Sequence, residues 1–252
     1  MHAHGLTIRT YASPLAAARA LAGHICQAIT NDPGLTLGLP TGRTPIPLYD
    51  ALTSRFERGG VDFSRASTFN LDEFLGIPAS DPRSYRAFME RHLFSRVNLS
   101  RRRIHFLDGT AADPDAECAR YEQRIVRAGG LDLLILGLGT NGHIGFNEPG
   151  PTLKAVTHRT RLTASTRRSN AELFGNRPTD VPREALSMGV GTILRARRII
   201  LLATGASKAH AVRRLVFGPV TTQLPASLLQ LHRSAEVWVD RAAGAELSGT
   251  AA

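Results

Sequence analysis

The sequence predicts an α/β fold, a doubly wound, mostly parallel sheet flanked by helices. Short continuous apolar runs recur along the chain with the length of strands buried on both faces. Segments with apolar residues at helical spacing separate them, and such alternation marks parallel crossover units. Four motif-like loops each follow one of the strands, the place where open parallel sheets bind ligands.

The elements read in order. Ser13 and Pro14 form an N-cap and a first-turn proline. Leu15, Ala18, Ala22, Ile25 and Ile29 then recur at helical spacing, and Asp32, Pro33 and Gly34 end that helix. A strand is expected over 35–39 and a helix over 44–58. A second strand over 67–71 runs into Asp72 and Glu73, and helices follow over 84–97 and 115–128. The apolar run Leu131, Leu133, Leu134, Ile135 and Leu136 is the next strand. Helix 183–196, strand 199–203, helix 207–216 and strand 235–239 complete a Rossmann-like series. Residues 242–252, small and polar, read as a frayed tail. With 252 residues and 42% hydrophobic content, one domain can hold the whole core. Residues 162–183, Arg-rich and ending in Val181 and Pro182, are a candidate mobile lid over it.

Composition excludes several classes of function. The chain has no run of about 18 apolar residues, so no membrane span is expected. The start, Met1 to Gly5, lacks the basic and apolar regions of a secretory signal. Two cysteines are too few for a disulfide framework, and Cys26 reads as a core thiol in a reducing compartment, the cytoplasm. The formal charge of +10 clusters at Arg101, Arg102 and Arg103 and over 154–168. There is no recognition-helix pattern, zinc spacing or basic tail, and aromatics are only 6%. No nucleic-acid partner is expected; part of this charge serves to draw in an anionic metabolite.

Residues 131–150, LDLLILGLGTNGHIGFNEPG, carry the densest chemistry: after the apolar run come Asn141, His143, Asn147 and Glu148. Gly137, Gly139 and Gly142 imitate a dinucleotide fingerprint, but that pattern needs a helix next and an acid about 20 residues later. Pro149 and Gly150 stop the segment, and residues 156–166 contain no acid. The glycines instead allow a sharp turn and close approach to a ligand. An imidazole with a carboxylate to orient it suits proton transfer, and no second histidine or cysteine stands at ligand spacing for a metal.

The other loops add an anion site and a base. In the loop from Pro40 to Pro45, Gly42 allows close approach and Thr44 offers a hydroxyl. Pro45 sets the first helical turn, whose unpaired N–H groups would face a phosphate. Lys208, following Thr204 and Gly205 at the start of another helix, can reach the same phosphate. Asp72 at a strand end suits a general base. Glu73 is the alternative, since neighbours on an extended segment point opposite ways.

These residues bring out a resemblance. LGLPTGRTPIPLYDAL, TFNLDEFLGIP with SYRAFM, LGLGTNGHIGFNEPG, ALSMGVGTIL and ATGASKAHAVRRL resemble the glucosamine-6-phosphate deaminase/isomerase family over roughly residues 35–239. The related phosphogluconolactonases share the fold, but their histidine loop lacks the FNEP ending.

The resemblance implies conversion of an amino-sugar phosphate to fructose 6-phosphate and ammonia, without metal or organic cofactor. His143 would assist ring opening, tuned by Glu148, and Asp72 would move a proton between C2 and C1. Thr41, Gly42, Arg43, Thr44 and Lys208 would hold the 6-phosphate, with Tyr85 lining the site. In some members an aspartate takes the place of Asn141, whose amide orients His143 without titrating. Glu172 aligns with a phosphate-binding arginine, a charge that Arg43, Arg167 or Arg168 would have to supply. His158 and Thr160 replace basic residues of the allosterically activated members. Because VTTQLPASLLQLH at 220–232 is closer to galactosamine-6-phosphate deaminases, that epimer is an alternative substrate. A lactonase-like hydrolase and a non-catalytic sugar-phosphate sensor are the others. Monomer and homo-oligomer are both compatible with the sequence.

Overall fold

Parallel pairing dominates the structure, a computed structural model that describes residues 2, 3 and 5–247. The chain runs β1 (His2–Ala3), β2 (Leu6–Tyr11), α1 (Pro14–Asn31), β3 (Thr36–Leu39), α2 (Ile46–Glu57) and β4 (Ser67–Asn70). It continues through β5 (Asp72–Phe74), α3 (Tyr85–His92), β6 (Ile104–His105), α4 (Pro114–Arg127) and β7 (Leu133–Gly137). Then come β8 (His158–Arg161), α5 (Ala164–Asn170), β9 (Glu184–Ser187) and α6 (Val190–Leu194). The series ends with β10 (Arg198–Ala203), α7 (Ala209–Phe217) and β11 (Ala235–Asp240). An eight-stranded sheet has the order β1-β2-β11-β10-β7-β3-β4-β6, parallel throughout except for the β1–β2 pair. The order reverses between β3 and β7, and ligand crevices form at such a switch point.

Local chemistry explains the helix starts. Ser13 Oγ accepts from Ala16 N at 3.2 Å, with Pro14 opening α1. Asp113 caps α4 by accepting from the Asp115 and Ala116 amides, both at 3.0 Å. Helices cover both faces of the sheet, as the alternation in β7 shows. Leu134 and Leu136 pack with Cys118, Tyr121, Val212 and Leu215 of α4 and α7. Leu133 and Ile135 pack with Leu21, Ile25, Leu48 and Leu52 of α1 and α2. Cys26 and Cys118 are both buried free thiols. No helix among the described residues is long and apolar enough to cross a membrane.

The structure corrects the sequence reading in four places. Residues 183–196 are not one helix: β9 comes first, and only the short α6 follows. A side chain at Gly189, between them, would collide with the Val156 carbonyl. β9 instead pairs antiparallel with β5 and β8, with Asp72 opposite Ser187 and His158 opposite Ser187. This three-stranded sheet was not expected; its pairing partners lie far apart in sequence, and strands of three or four residues show little periodicity. The helix expected over 84–97 stops at His92, with a 3₁₀ turn at Phe94–Arg96. The first strands, β1 and β2, were also missed. The tail is not frayed from residue 242: Ala243 and Leu247 are buried, while residues 248–252 lie outside the described ones.

Candidate active site

A cavity of about 540 Å³ opens at the carboxyl ends of β3, β4, β7 and β10. Thr41, Gly42, Arg43, Thr44, Asp72, Tyr85, Asn141, His143 and Lys208 all line it. Glu148 does not; it lies behind His143. Residues singled out from four separate loops therefore meet in one place.

The sheet geometry separates the two acids at the end of β4. Leu71 is the sole residue between β4 and β5, so the chain leaves the large sheet and enters the small one within one step. Asp72 faces the cavity yet is only 7% exposed, and its Oδ1 has no hydrogen-bond partner. Burial, with the Glu73 charge adding to it and the Thr41 hydroxyl opposing, lifts the Asp72 carboxyl to about 8. Glu73 turns the other way and accepts from the amides of Phe74, Tyr85 and Arg86 at 2.8, 3.0 and 2.9 Å. Burial raises it too, to about 7, against the pull of those three amides. Because it holds the N-terminus of α3, its role is structural, and Asp72 is the carboxyl left to meet a ligand.

The histidine loop needs its glycines. Any side chain at Gly139 would overlap the His143 ring, and Gly142 has φ +88° with Leu224 against its α-carbon. After Gly142 the chain forms a loop closed by an Ile144–Asn147 bridge and not a helix. Asn141 Nδ2 donates to Glu148 Oε2 at 2.8 Å, and the His143 amide donates to Asn141 Oδ1 at 3.2 Å. His143 Nδ1 lies 3.6 Å from the same Glu148 oxygen and makes no hydrogen bond. Burial pushes the Glu148 carboxyl up, but His143, Thr166 and Asn141 outweigh it and hold the group at about 2. A carboxylate thus stands ionised behind the His143 imidazole, and the Asp72 carboxyl, with one oxygen unpartnered, lines the same cavity as that imidazole.

The phosphate loop differs in detail from the expectation. The start of α2 offers few donors, because Pro45 and Pro47 have no N–H and the Ile46 amide donates to Arg43 O at 3.2 Å. Among the described residues, the Gly42, Arg43 and Thr44 amides donate to no backbone acceptor, so the loop itself is the donor set. Gly42 has φ +100°, a left-handed turn that suits glycine. Lys208 is half-buried, and burial and then the Arg43 charge lower its ammonium. Arg43 lines the cavity, whereas Arg167 and Arg168 do not. Its guanidinium pairs with Glu172 at 3.4 Å, both side chains largely exposed.

Residues 162–183, the candidate lid, contribute lining residues that the sequence reading did not name. Ser165, Thr166, Ser169 and Asn170 face the cavity, and Asn170 Oδ1 accepts from Tyr85 OH at 2.7 Å. Phe174, Leu162 and Val181 anchor the segment on Phe74, Tyr85 and Phe146. A helix cap at Thr163, followed three residues later by Thr166, was the available signal. No group of three or more His, Cys, Asp or Glu among the described residues is placed to hold a metal ion.

Comparisons with known proteins give this geometry a context. Residues 12–238 match the family model described as glucosamine-6-phosphate isomerases/6-phosphogluconolactonase. Glucosamine-6-phosphate deaminase 2 of Giardia intestinalis is 47% identical over 93% of this chain and 89% of its own. The glucosamine-6-phosphate deaminase of Arthrobacter sp. strain FB24 is 48% identical over 90% of this chain and 88% of its own. The solved structure of a monomeric glucosamine-6-phosphate deaminase superposes with a TM-score of 0.92 at 38% identity, covering 96% of this chain and 100% of that one. A 6-phosphogluconolactonase from Trypanosoma cruzi superposes at 0.79 with 19% identity, over 98% of each chain, a likeness of fold alone.

Proposed function

The chain belongs to the glucosamine-6-phosphate isomerase/6-phosphogluconolactonase family, and we propose that it isomerises and deaminates glucosamine 6-phosphate to fructose 6-phosphate and ammonia. One observation carries the choice within the family: Asp72, a buried carboxyl held near 8 with its Oδ1 unpartnered, shares a cavity with His143. Opening a lactone needs no base at C2, whereas moving a proton between C2 and C1 does. Relatives of comparable identity carry the glucosamine deaminase name, while the lactonase likenesses fall to about a fifth identity and speak for fold only. The same names support glucosamine over galactosamine.

The residues then divide the work. The Gly42, Arg43 and Thr44 amides, the Thr41 and Thr44 hydroxyls and Lys208 hold the 6-phosphate, with Arg43 supplying a second cation. His143 moves the proton needed to open the pyranose ring, Glu148 stands behind it, and Asn141 orients both. Tyr85 packs beside the sugar. In the open-chain substrate, Asp72 takes the C2 proton and returns it at C1, leaving an imine at C2. Water then adds to C2 and ammonia departs, giving the C2 ketone of fructose 6-phosphate. An ammonium on C2, held next to Asp72, favours the carboxylate over the neutral acid. Substrate thereby arms its own base, and loss of ammonia removes that bias. Residues 162–183 act as the lid of a single sugar-phosphate domain. The buried, unpaired Cys26 and Cys118 support a reducing compartment, the cytoplasm.

Ammonia release from glucosamine 6-phosphate, measured beside galactosamine 6-phosphate, tests the reading. Release from the first with the higher kcat/KM is expected. Preference for the second would change the epimer, and silence from both with binding retained would overturn the enzyme.

A further inference from the structure

The two oxygens of Glu148 belong to different neighbours. Oε2 accepts from Asn141 Nδ2 at 2.8 Å and faces His143 Nδ1 at 3.6 Å, both on the histidine loop. Oε1 accepts from the Thr166 hydroxyl, with Thr163 Oγ1 at 3.4 Å. Both threonines open α5, the first helix of the segment over the cavity. Thr163 is the helix cap, its Oγ1 accepting from the Thr166 amide at 3.1 Å. The backbone of Thr166 therefore serves the helix, which leaves its hydroxyl for the carboxylate. Thr166 is 2% exposed, so no water competes readily for that bond.

This arrangement limits how the carboxylate can turn. With Oε1 anchored, Oε2 stays directed at the imidazole. A histidine that accepts a proton at Nε2 must carry its own at Nδ1, and a carboxylate facing Nδ1 selects that tautomer. The 3.6 Å gap closes with a small movement, and such bonds are often long before substrate arrives.

We propose that Thr166 is a positioning residue that aims Glu148 at His143, so that the acid–base pair is complete only while α5 is seated on the cavity. The proposal rests on the roles given above to His143 and Glu148. It ties a chemical step to the position of the covering segment through one hydroxyl. A purely packing role would need the shape of Thr166 but not its oxygen.

The test uses the whole enzyme with Thr166→Val, which keeps the shape, and Thr166→Ser, which keeps the hydroxyl. The ring nitrogens of His143 are followed by 15N NMR without ligand, and kcat, KM and their pH profiles with glucosamine 6-phosphate. Thr166→Val is expected to deplete the Nδ1–H tautomer, to lower kcat about tenfold and to change KM less than about twofold. Thr166→Ser should restore both readouts. An unchanged tautomer and unchanged kcat in Thr166→Val would overturn the proposal. If valine prevents folding, Thr166→Ala set against Thr166→Ser isolates the hydroxyl, because both lack the methyl and the cap uses the backbone amide. Absence of ammonia release from the wild type would sink the function assigned above, while the tautomer in the unliganded protein would still decide the role of Thr166.

Discussion

Asp72 and Glu73 are neighbours on one short strand and do opposite things: Asp72 presents an unpartnered oxygen to the cavity, while Glu73 accepts from the Phe74 amide beside it and from the Tyr85 and Arg86 amides at the start of α3. Period-two geometry makes this separation unavoidable, and it decides which of two adjacent acids is free to react.

Asp72→Asn should therefore abolish turnover, by at least about 10³-fold, while leaving fructose 6-phosphate binding within a few-fold. Ammonia release and calorimetric titration read the two quantities separately. Persisting turnover would take the proton transfer away from Asp72. In the wild type, kcat/KM should rise with pH through about 8, where the free carboxyl ionises.

The same substitution should stabilise the protein at alkaline pH. The carboxyl titrates at about 8 in the folded chain against an ordinary 3.8, so the folded state binds more protons between those values. Stability then falls as pH rises through that window, and an amide is spared the loss. Asp72→Asn should melt roughly 5 °C above wild type at pH 8, with the gap closing toward pH 4. A gap that is flat with pH would show that the carboxyl is not raised.

Lys208→Met should raise KM by tenfold to about a hundredfold with kcat nearly constant, since a phosphate contact is made equally in ground and transition states. A fall in kcat with KM unchanged would count against a binding role.

Glu172→Gln should lower KM by up to about threefold by releasing Arg43, and Arg43→Gln should raise it. Both members of the pair are well exposed, 79% and 65%, so the effect is small and fades in high salt. Equal responses at low and high ionic strength would contradict an electrostatic cause.

Gly139→Ala should cut kcat by about 10²-fold through displacement of the His143 ring, at little cost in melting temperature. Full activity in this variant would mean that the imidazole position is not critical.

Much of this was legible in the sequence because it is local. Strand ends followed by Asp72, by His143 or by Lys208 announce themselves as apolar runs ending in polar loops. What stayed hidden depends on distant partners. Residues 184–187 pair with 72–74 and 158–161, and that pairing overrode a helical reading of ALSMGVG. Thr166 looks like any helix-start threonine until the fold brings Glu148 to it. The pairing of Arg43 with Glu172 joins a loop to the 3₁₀ turn at Ala171–Phe174, and the sequence, which sets Arg43 against the charge lost at Glu172, does not show that the two touch.

The hop at Leu71, from the large sheet to the small one, splits the chemistry between two bodies. The phosphate grip hangs on β3 and β10, whereas the proton carrier rides on a strand held by β9. Mild warming or dilute denaturant can loosen a three-stranded patch before the eight-stranded one opens. Inactivation should then run ahead of spectroscopic melting. The single tryptophan, Trp238, lies buried on β11 in the large sheet, so its fluorescence would go on reporting a native protein after the enzyme had stopped working.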